Sequence, residues 1–203
     1  MARIALIGAT GNVGSRLLDE LVSRGHQVTA IGRDPAKVAA RPGVSAARAD
    51  INDAAGLAAV LRGHDAVISA VRFLDSDPEV LLAAVRSAGV PRYLVVGGAA
   101  SLLVAPGKRL LDQPDFPEAY KAEATRGAAF LDALRQVQDL DWTFLSPSAM
   151  FVPGERTGRF RLGKDELLTG EKGSSISYED FAIAMVDELE RPAHSRQRFT
   201  VGY

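Results

Sequence analysis

Three glycines in one loop carry the strongest chemical signal in the sequence. They lie within Gly8-Ala9-Thr10-Gly11-Asn12-Val13-Gly14, directly after the apolar run Ile4–Ile7. A loop of this kind between a first strand and a first helix predicts binding of dinucleotide phosphates, and a plain strand-to-helix turn is the alternative. Gly8 permits the tight turn, Gly11 lets the backbone approach the pyrophosphate, and Gly14 allows helix and strand to pack closely. The N–H groups at the start of the helix would then face the anion.

The residues after the second predicted strand, Val28–Ile31, bear on which dinucleotide would bind. An acid about 20 residues past the glycine loop binds the ribose hydroxyls of NAD, whereas an arginine there accommodates the 2′-phosphate of NADP. Arg33 comes first, and Asp34-Pro35 is typical of the cap and first residue of a short helix. The sequence therefore favours NADP(H) over NAD(H). Arg16 is either a further phosphate contact or an exposed surface arginine.

The elements that must position these residues alternate between strands and helices. Helical stretches of suitable length separate six strand-like runs, which are Ile4–Ile7, Val28–Ile31, Val44–Ala47, Ala66–Ala70, Tyr93–Val96 and Trp142–Leu145. Asp77-Pro78-Glu79 predicts the start of one helix, Gly89 its end, and Pro117–Gln136 a long second one. Because strands that alternate with helices need right-handed crossovers, we predict a Rossmann-type α/β fold, a doubly wound parallel sheet with helices on both faces.

The pattern changes after Leu145, where glycines separate short segments such as Arg159–Leu162, which are typical of hairpin strands or loops. Ser177–Asp180 then predicts a helix start of the capping-box type, and Phe199–Val201 predicts a last strand. We expect a single NAD(P)-binding domain over 1–203, to which 147–203 contributes a small C-terminal cap on the substrate side.

Composition excludes several classes of function. The chain has 203 residues, 47% of them hydrophobic and 24% charged, with a formal charge of −1, so disorder and a nucleic-acid surface are both disfavoured. It has no cysteine, and its three histidines have no metal-ligand spacing, so no metal site is expected. No apolar stretch approaches the roughly 20 residues that span a bilayer, and no signal-peptide pattern is present, so we expect a cytoplasmic protein without a membrane partner.

Several motifs together resemble the atypical short-chain dehydrogenase/reductases. The glycine spacing of Gly8–Gly14, Ile31–Pro35 after the second strand, Asp50-Ile51 after the third and Asp141–Pro147 at the sixth are similar to one NAD(P)-binding group. That group includes NADH-flavin reductases, flavin/biliverdin reductases and nitrogen-metabolite-repressor-like proteins. The similarity covers nearly the whole chain and is greatest for the NADH-flavin reductases. It implies that Arg33 grips the 2′-phosphate and that Asp50 lies near the adenine amine.

The cofactor cleft is expected along the carboxyl ends of the strands. Besides the glycine loop, Arg33 and Asp50, its predicted members are Ile51, Ser69-Ala70-Val71 at the fourth strand, Gly97 and Gly98 after the fifth, and Pro147 after the sixth. The two glycines would let the nicotinamide approach the backbone.

A catalytic proton donor is harder to predict. The main short-chain dehydrogenases use Tyr-x-x-x-Lys on one helix face, where the lysine lowers the pKa of the tyrosine. Here Tyr120 lies near the expected place, but Ala124 replaces the lysine, and Lys121 lies about 100° round the helix. Tyr120 is therefore either a weakly activated donor or simply a tyrosine that borders the cleft. Ser101 is either a hydrogen-bond donor to a substrate carbonyl or an ordinary loop serine.

The substrate side is predicted from two apolar loops at the carboxyl ends of the strands. One runs from Ser101 to Phe116 and includes Leu102, Leu103, Val104, Leu110 and Leu111, and the other is Pro147–Phe151. They suit a flat ring system, although they could instead pack against the cap or a partner subunit, so a homo-oligomer is left open. Trp142, Phe144 and Phe181 are most simply core residues.

The leading hypothesis is an NADPH-dependent reductase that transfers hydride to a flavin, a quinone or a similar conjugated small-molecule acceptor. A flavin would then be a substrate. The missing lysine keeps a second hypothesis open, a non-catalytic NADP(H)-binding sensor that regulates another protein. An NAD(P)-dependent epimerase or isomerase is a weaker alternative, since it would need that lysine.

Overall fold

A computed structural model describes all 203 residues, Met1–Tyr203, with five helices and twelve strands. The helices are α1 (Asn12–Ser23), α2 (Ala54–Leu61), α3 (Pro78–Ala88), α4 (Glu118–Arg135) and α5 (Tyr178–Glu190). The strands are β1 (Arg3–Ile7), β2 (Gln27–Gly32), β3 (Val44–Arg48), β4 (Ala66–Ser69), β5 (Arg92–Val96), β6 (Leu103–Ala105), β7 (Lys108–Arg109), β8 (Asp141–Ser146), β9 (Met150–Val152), β10 (Arg161–Gly163), β11 (Ser175–Ser177) and β12 (Gln197–Gly202). All six predicted strands are present.

Eight of the strands form one sheet, in the order β10-β12-β8-β5-β4-β1-β2-β3. All neighbours are parallel except β10, which pairs antiparallel with β12 at the edge. The strand order reverses beside β1, so the crevice between the carboxyl ends of β1 and β4 is the point where such sheets bind ligands. The predicted Rossmann-type α/β fold is confirmed.

Two hydrophobic cores lie on opposite faces of the sheet. Alternate residues of β1 point to opposite sides, which explains its unbroken apolar run: Ala5 and Ile7 enter one core with α2, α3 and α4, whereas Ile4 and Leu6 enter the other with α1 and α5. Trp142 and Phe144 are buried in the first core and Phe181 in the second. Their interpretation as core residues is confirmed.

Local signals determine the helix ends. The Asp77 carboxylate accepts a hydrogen bond from the Glu79 N–H at 2.8 Å, and Gly89 ends α3 in the left-handed conformation with φ of +69°. The Ser177 hydroxyl accepts from the Asp180 N–H at 3.0 Å and caps α5. These contacts agree with the predicted helix boundaries.

The C-terminal segment forms less of a cap than expected. Helix α5 covers one face of the main sheet, and β12 lies inside that sheet beside β8. The short pair of β9 and β11 lies outside the main sheet. Of 147–203, the stretch Pro147–Phe151 lines a cavity at the carboxyl edge of the sheet.

Candidate functional site

A cavity of about 690 Å³ opens at the reversal point of the sheet, a size within the range of ligand pockets. We call it the loop cavity. Its lining comes from the carboxyl ends of the first four strands and from two later segments, and consists of Ile7, Gly8, Thr10, Gly11, Ile31, Gly32, Arg33, Ala49–Asn52, Ala70–Arg72, Leu74–Asp77 and Arg126. Three residues of the predicted glycine loop, Gly8, Thr10 and Gly11, therefore contribute to one cavity. The other predicted residues in its lining are Arg33, Asp50, Ile51, Ala70 and Val71.

A different physical reason explains why each of the three positions in the loop is occupied by glycine. Gly8 has φ of +84°, and a Cβ there would collide with the Ala70 carbonyl oxygen. A Cβ at Gly14 would collide with the Gly8 carbonyl oxygen, so this glycine lets α1 pack against the loop. Gly11 has an ordinary φ of −74° and is exposed to the loop cavity, which leaves its backbone open to a ligand. No side chain caps α1, so its first N–H groups are available to an anion.

Three arginines line the loop cavity, together with the aspartates Asp50, Asp75 and Asp77. The side chains of Arg33 and Arg126 make no hydrogen bond or ion pair with other residues, and that of Arg72 lies 4.0 Å from the Glu123 carboxylate. Asp34 is occupied as a cap, since its carboxylate accepts from the Ala36 N–H at 3.2 Å. The alternative phosphate contact, Arg16, is instead bonded at 3.0 Å to Glu179, so the interpretation as a surface arginine fits better.

A second cavity of about 520 Å³ lies beside the first. We call it the apolar cavity, because most of its wall is apolar. It is lined by Phe73, Gly97–Ser101, Leu110, Asp115–Pro117, Tyr120, Glu123, Ala124, Gly127, Ala128 and Pro147–Phe151. Its ionisable side chains are those of Asp115, Tyr120 and Glu123, and no lysine, arginine or histidine belongs to the lining. The predicted loops around Phe116 and Met150 both reach it.

A short turn, Phe73–Asp75, separates the two cavities. Phe73 lines the apolar cavity and the flanking Arg72 and Leu74 line the loop cavity. The Glu123 carboxylate holds this turn, accepting from the Phe73 N–H at 2.7 Å and from the Leu74 N–H at 3.0 Å. A Cβ at Gly127 would approach the Phe73 ring to 2.8 Å, so the glycine lets α4 pack against the turn. One carboxylate thus fixes a wall that both cavities share.

The two candidate catalytic residues both line the apolar cavity. The Tyr120 side chain is 66% exposed, and Ala124, one turn along α4, supplies no charge. The Lys121 ammonium is bonded at 2.8 Å to Glu118, outside the cavity. The Ser101 hydroxyl accepts a hydrogen bond at 3.2 Å from the guanidinium of Arg198. No cation therefore stands beside the Tyr120 phenol, whereas one stands behind Ser101.

Some predicted residues lie outside the cavities. Ser69 is buried, and its hydroxyl is bonded at 3.0 Å to the Tyr93 hydroxyl in the core, so its predicted place in the cleft is wrong. A Cβ at Gly97 would collide with the Phe144 ring, so core packing is one reason for this glycine. Gly98 and Pro147 line the apolar cavity rather than the loop cavity. Among the residues named in the predicted loops, those that line neither cavity are Ala9, Asn12, Val13, Gly14, Leu102, Leu103, Val104 and Leu111.

The charged residues that escaped the sequence analysis include Arg72, Glu123 and Arg126 in the cavity linings and Arg198 behind Ser101. Glu123 reaches the turn across 50 positions of sequence, and Arg198 reaches Ser101 across 97. The one available sequence signal was for Arg198, which directly precedes the predicted strand Phe199–Val201, since a strand arginine that is buried needs a partner.

Metal-ligand clusters and helices able to cross a membrane are both absent. The cytoplasmic location stays a prediction.

Comparisons with known proteins agree with this geometry. The model of the NAD(P)H-binding family matches residues 8–192. The Bacillus subtilis protein YwnB, itself uncharacterized, is 40% identical and matches 98% of this chain and 97% of its own.

Two solved structures illustrate the similarity, and each covers the whole chain. A protein from Bacteroides thetaiotaomicron described as a "putative epimerase" is 44% identical, with a TM-score of 0.94 and 97% of its own chain covered. A Streptococcus pneumoniae protein described as a "putative NADH-flavin reductase" is 39% identical, with a TM-score of 0.86 and 99% covered. The two descriptions name different reactions, whereas both structures share the fold of this chain. With its glycine loop at the start of the matched region, the chain belongs to the NAD(P)H-binding family.

Proposed function

We propose that the protein is an NADPH-dependent reductase that transfers hydride to a flavin, a quinone or a similar conjugated small molecule. The observation that carries the proposal is the position of the apolar cavity. It adjoins the loop cavity across the turn Phe73–Asp75, at the carboxyl edge of the same sheet. A dinucleotide whose phosphates lie on the glycine loop can extend its nicotinamide toward that cavity. An apolar wall there suits a flat ring.

The loop cavity supports NADPH as the cofactor. The backbone at Gly11 and the start of α1 would hold the pyrophosphate, and Arg33 would pair with the 2′-phosphate. Arg33 has no partner within the protein, so it does not need to break an ion pair in order to bind. Asp50, at the same cavity, would lie by resemblance near the adenine amine.

The apolar cavity supports an acceptor that needs no strong acid. Bound NADPH would supply the hydride, and solvent would supply the proton that completes reduction of an electron-poor ring. The chain's contribution is to hold the ring against the nicotinamide, for which Phe116, Met150 and Phe151 provide an apolar surface. Ser101 would donate a hydrogen bond to a ring carbonyl.

The missing cation beside Tyr120 favours a second candidate, a non-catalytic NADP(H) sensor. Ala124 stands in the cavity wall at the place of the activating lysine. The alanine at this place also weighs against an epimerase, because an epimerase must remove a proton from its substrate and return it.

The test combines binding and turnover in one sample. Calorimetric titration with NADPH and NADH measures cofactor binding, and absorbance then follows NADPH oxidation with added flavins and quinones. We expect tighter binding of NADPH than of NADH, and oxidation that depends on the acceptor. Tight binding with no oxidation across the panel would contradict the reductase and support the sensor.

A further inference from the structure

The charges around the apolar cavity restrict its ligand. Asp115 lines the cavity and has no ion pair or side-chain hydrogen bond. Glu123 is the second carboxylate, and its nearest cation is the exposed Arg72, at 4.0 Å. An anion that enters loses water and finds no positive side chain in the wall to replace it.

We propose that the apolar cavity selects electron-poor ring compounds that carry no negative charge. This inference rests on the proposed function, in which NADPH, a proton from solvent and the acceptor give NADP⁺ and the acceptor reduced by two electrons. Riboflavin and unsubstituted quinones fit this class, whereas flavin mononucleotide and sulfonated quinones do not. The loop cavity provides the contrast within the same molecule, because its lining includes three arginines, two of them without an ion pair, beside the aspartates Asp50, Asp75 and Asp77.

The test compares ligands with the same ring and different charge. The dissociation constants of riboflavin and flavin mononucleotide are measured on the protein–NADP⁺ complex by quenching of flavin fluorescence at low salt. We expect flavin mononucleotide to bind at least about fivefold more weakly, with a smaller difference at high salt. Asp115→Asn should bring the dissociation constants of the two flavins closer together. Glu118→Gln removes a negative charge from the same region but outside the cavity, so it should leave the ratio of the two constants unchanged.

Two results would overturn the inference: equal or tighter binding of flavin mononucleotide, or no binding of riboflavin. The proposed function has a separate readout, since selective binding without NADPH oxidation would contradict the reductase and leave the selection intact. The same comparison can be made on rates of NADPH oxidation, with naphthoquinone and naphthoquinone sulfonate as the two acceptors that share a ring and differ in charge.

A buried cation behind Ser101 supports a second inference from an independent observation. The Arg198 side chain is 3% exposed, and its Nε donates to Asp165 at 2.8 Å. Its Nη1 donates to the Ser101 hydroxyl at 3.2 Å and to the Ser146 hydroxyl at 3.4 Å. Burial lowers the pKa of Arg198, and the Asp165 carboxylate opposes that change.

We infer that Arg198 is a positioning residue that directs the Ser101 hydroxyl into the apolar cavity. A hydroxyl has one donor and two acceptor sites. Because the guanidinium N–H occupies an acceptor site, the O–H of Ser101 is free to donate toward the cavity that the residue lines. That donor would stabilise negative charge on an acceptor carbonyl as hydride adds to the ring. The inference rests on the proposed function.

A double-mutant cycle separates this role from a structural one. Ser101→Ala and Arg198→Met should each lower kcat about tenfold, and the double variant should lose no more than either, because Arg198 acts through Ser101. Binding of NADPH should be unchanged, and Arg198→Lys should restore part of kcat. Losses that multiply in the double variant would overturn the inference.

If Arg198→Met does not fold, Arg198→Lys replaces it, and the cycle then tests whether the remaining loss of kcat caused by lysine disappears in the Ser101→Ala background. The dissociation constant of riboflavin is read in the same four proteins, so the coupling is measured whether or not turnover occurs. If the two substitutions change the dissociation constant of riboflavin independently of each other, the inference is overturned. If their effects on that constant are coupled but no NADPH is oxidised, only the proposed reductase activity is contradicted.

Discussion

The loop cavity is lined by backbone, three arginines and three aspartates, whereas the apolar cavity beside it has two carboxylates, no cationic side chain and a mostly apolar wall. Both open at the carboxyl edge of one sheet, and the turn Phe73–Asp75 divides them. The difference is in how each surface is made. In the loop cavity, the backbone that faces a phosphate comes from seven consecutive residues, Gly8–Gly14, although the whole lining extends to Arg126. The apolar cavity has no such local motif, because its lining comes from α4, the β5 end and the β8 end together.

The two sides of this wall offer different groups to an anion. At the loop cavity, free N–H groups and unpaired guanidinium groups replace the water that a phosphate loses. At the apolar cavity, no cation does so. A dinucleotide and an uncharged ring would therefore be sorted by charge as well as by shape.

Gly11→Val is expected to have the largest effect, because it fills the backbone approach of the loop cavity. Its φ of −74° suits any residue, so the fold should survive while binding of both NADPH and NADH falls by about a hundredfold or more, some 2.7 kcal/mol. Calorimetry measures the loss and circular dichroism checks the fold. Gly11→Ala, whose Cβ would lie 3.3 Å from the Gly8 carbonyl oxygen, is the matched milder variant. Unchanged affinity in Gly11→Val would exclude the loop as the binding site.

Arg33→Ala should have the next largest effect and should separate the two cofactors. Loss of a charge-assisted contact to the 2′-phosphate costs about 1.5–3 kcal/mol, so NADPH binding should weaken by roughly ten- to a hundredfold. NADH lacks that phosphate, and its binding should change little. Calorimetric titration with both cofactors measures the ratio, with Arg16→Ala as a control because Arg16 pairs with Glu179. An equal loss for both cofactors would contradict the assignment of Arg33.

Glu123→Gln should affect both cavities at once, because its carboxylate holds the dividing turn. A glutamine has one acceptor oxygen, so it cannot satisfy both the Phe73 and the Leu74 N–H groups with the same geometry. We expect the KM values for NADPH and for the acceptor to rise together by about three- to tenfold, which corresponds to roughly one lost hydrogen bond. Glu118→Gln on the same helix is the control. A change in one KM alone would show that the turn does not couple the cavities.

The same contrast explains what could be predicted from the sequence. The glycine loop and Arg33 were recognisable because their function depends on neighbours a few residues away. The fold followed from the strand and helix alternation and from local caps such as Asp77. Glu123 and Arg198 act across 50 and 97 residues, so only tertiary structure brings them to their partners. Ser69 shows the reverse case, in which the strand end was right but its side chain turned into the core.

Tyr120→Phe should have the smallest effect, and it sharpens the contrast by asking whether the apolar cavity contains a working acid. The side chain is 66% exposed, the nearest lysine along the helix is bonded to Glu118, and Ala124 carries no charge. A phenol without a nearby cation contributes little to proton transfer, and solvent can protonate a reduced ring. We therefore expect kcat with a quinone to stay within about threefold, far short of the 10²–10⁴-fold typical of general acid catalysis. Steady-state rates measured across pH 6 to 9 decide the matter, with the acceptor saturating. A loss of two orders of magnitude would identify Tyr120 as the proton donor, and the apolar cavity would then contain an acid that works without its lysine.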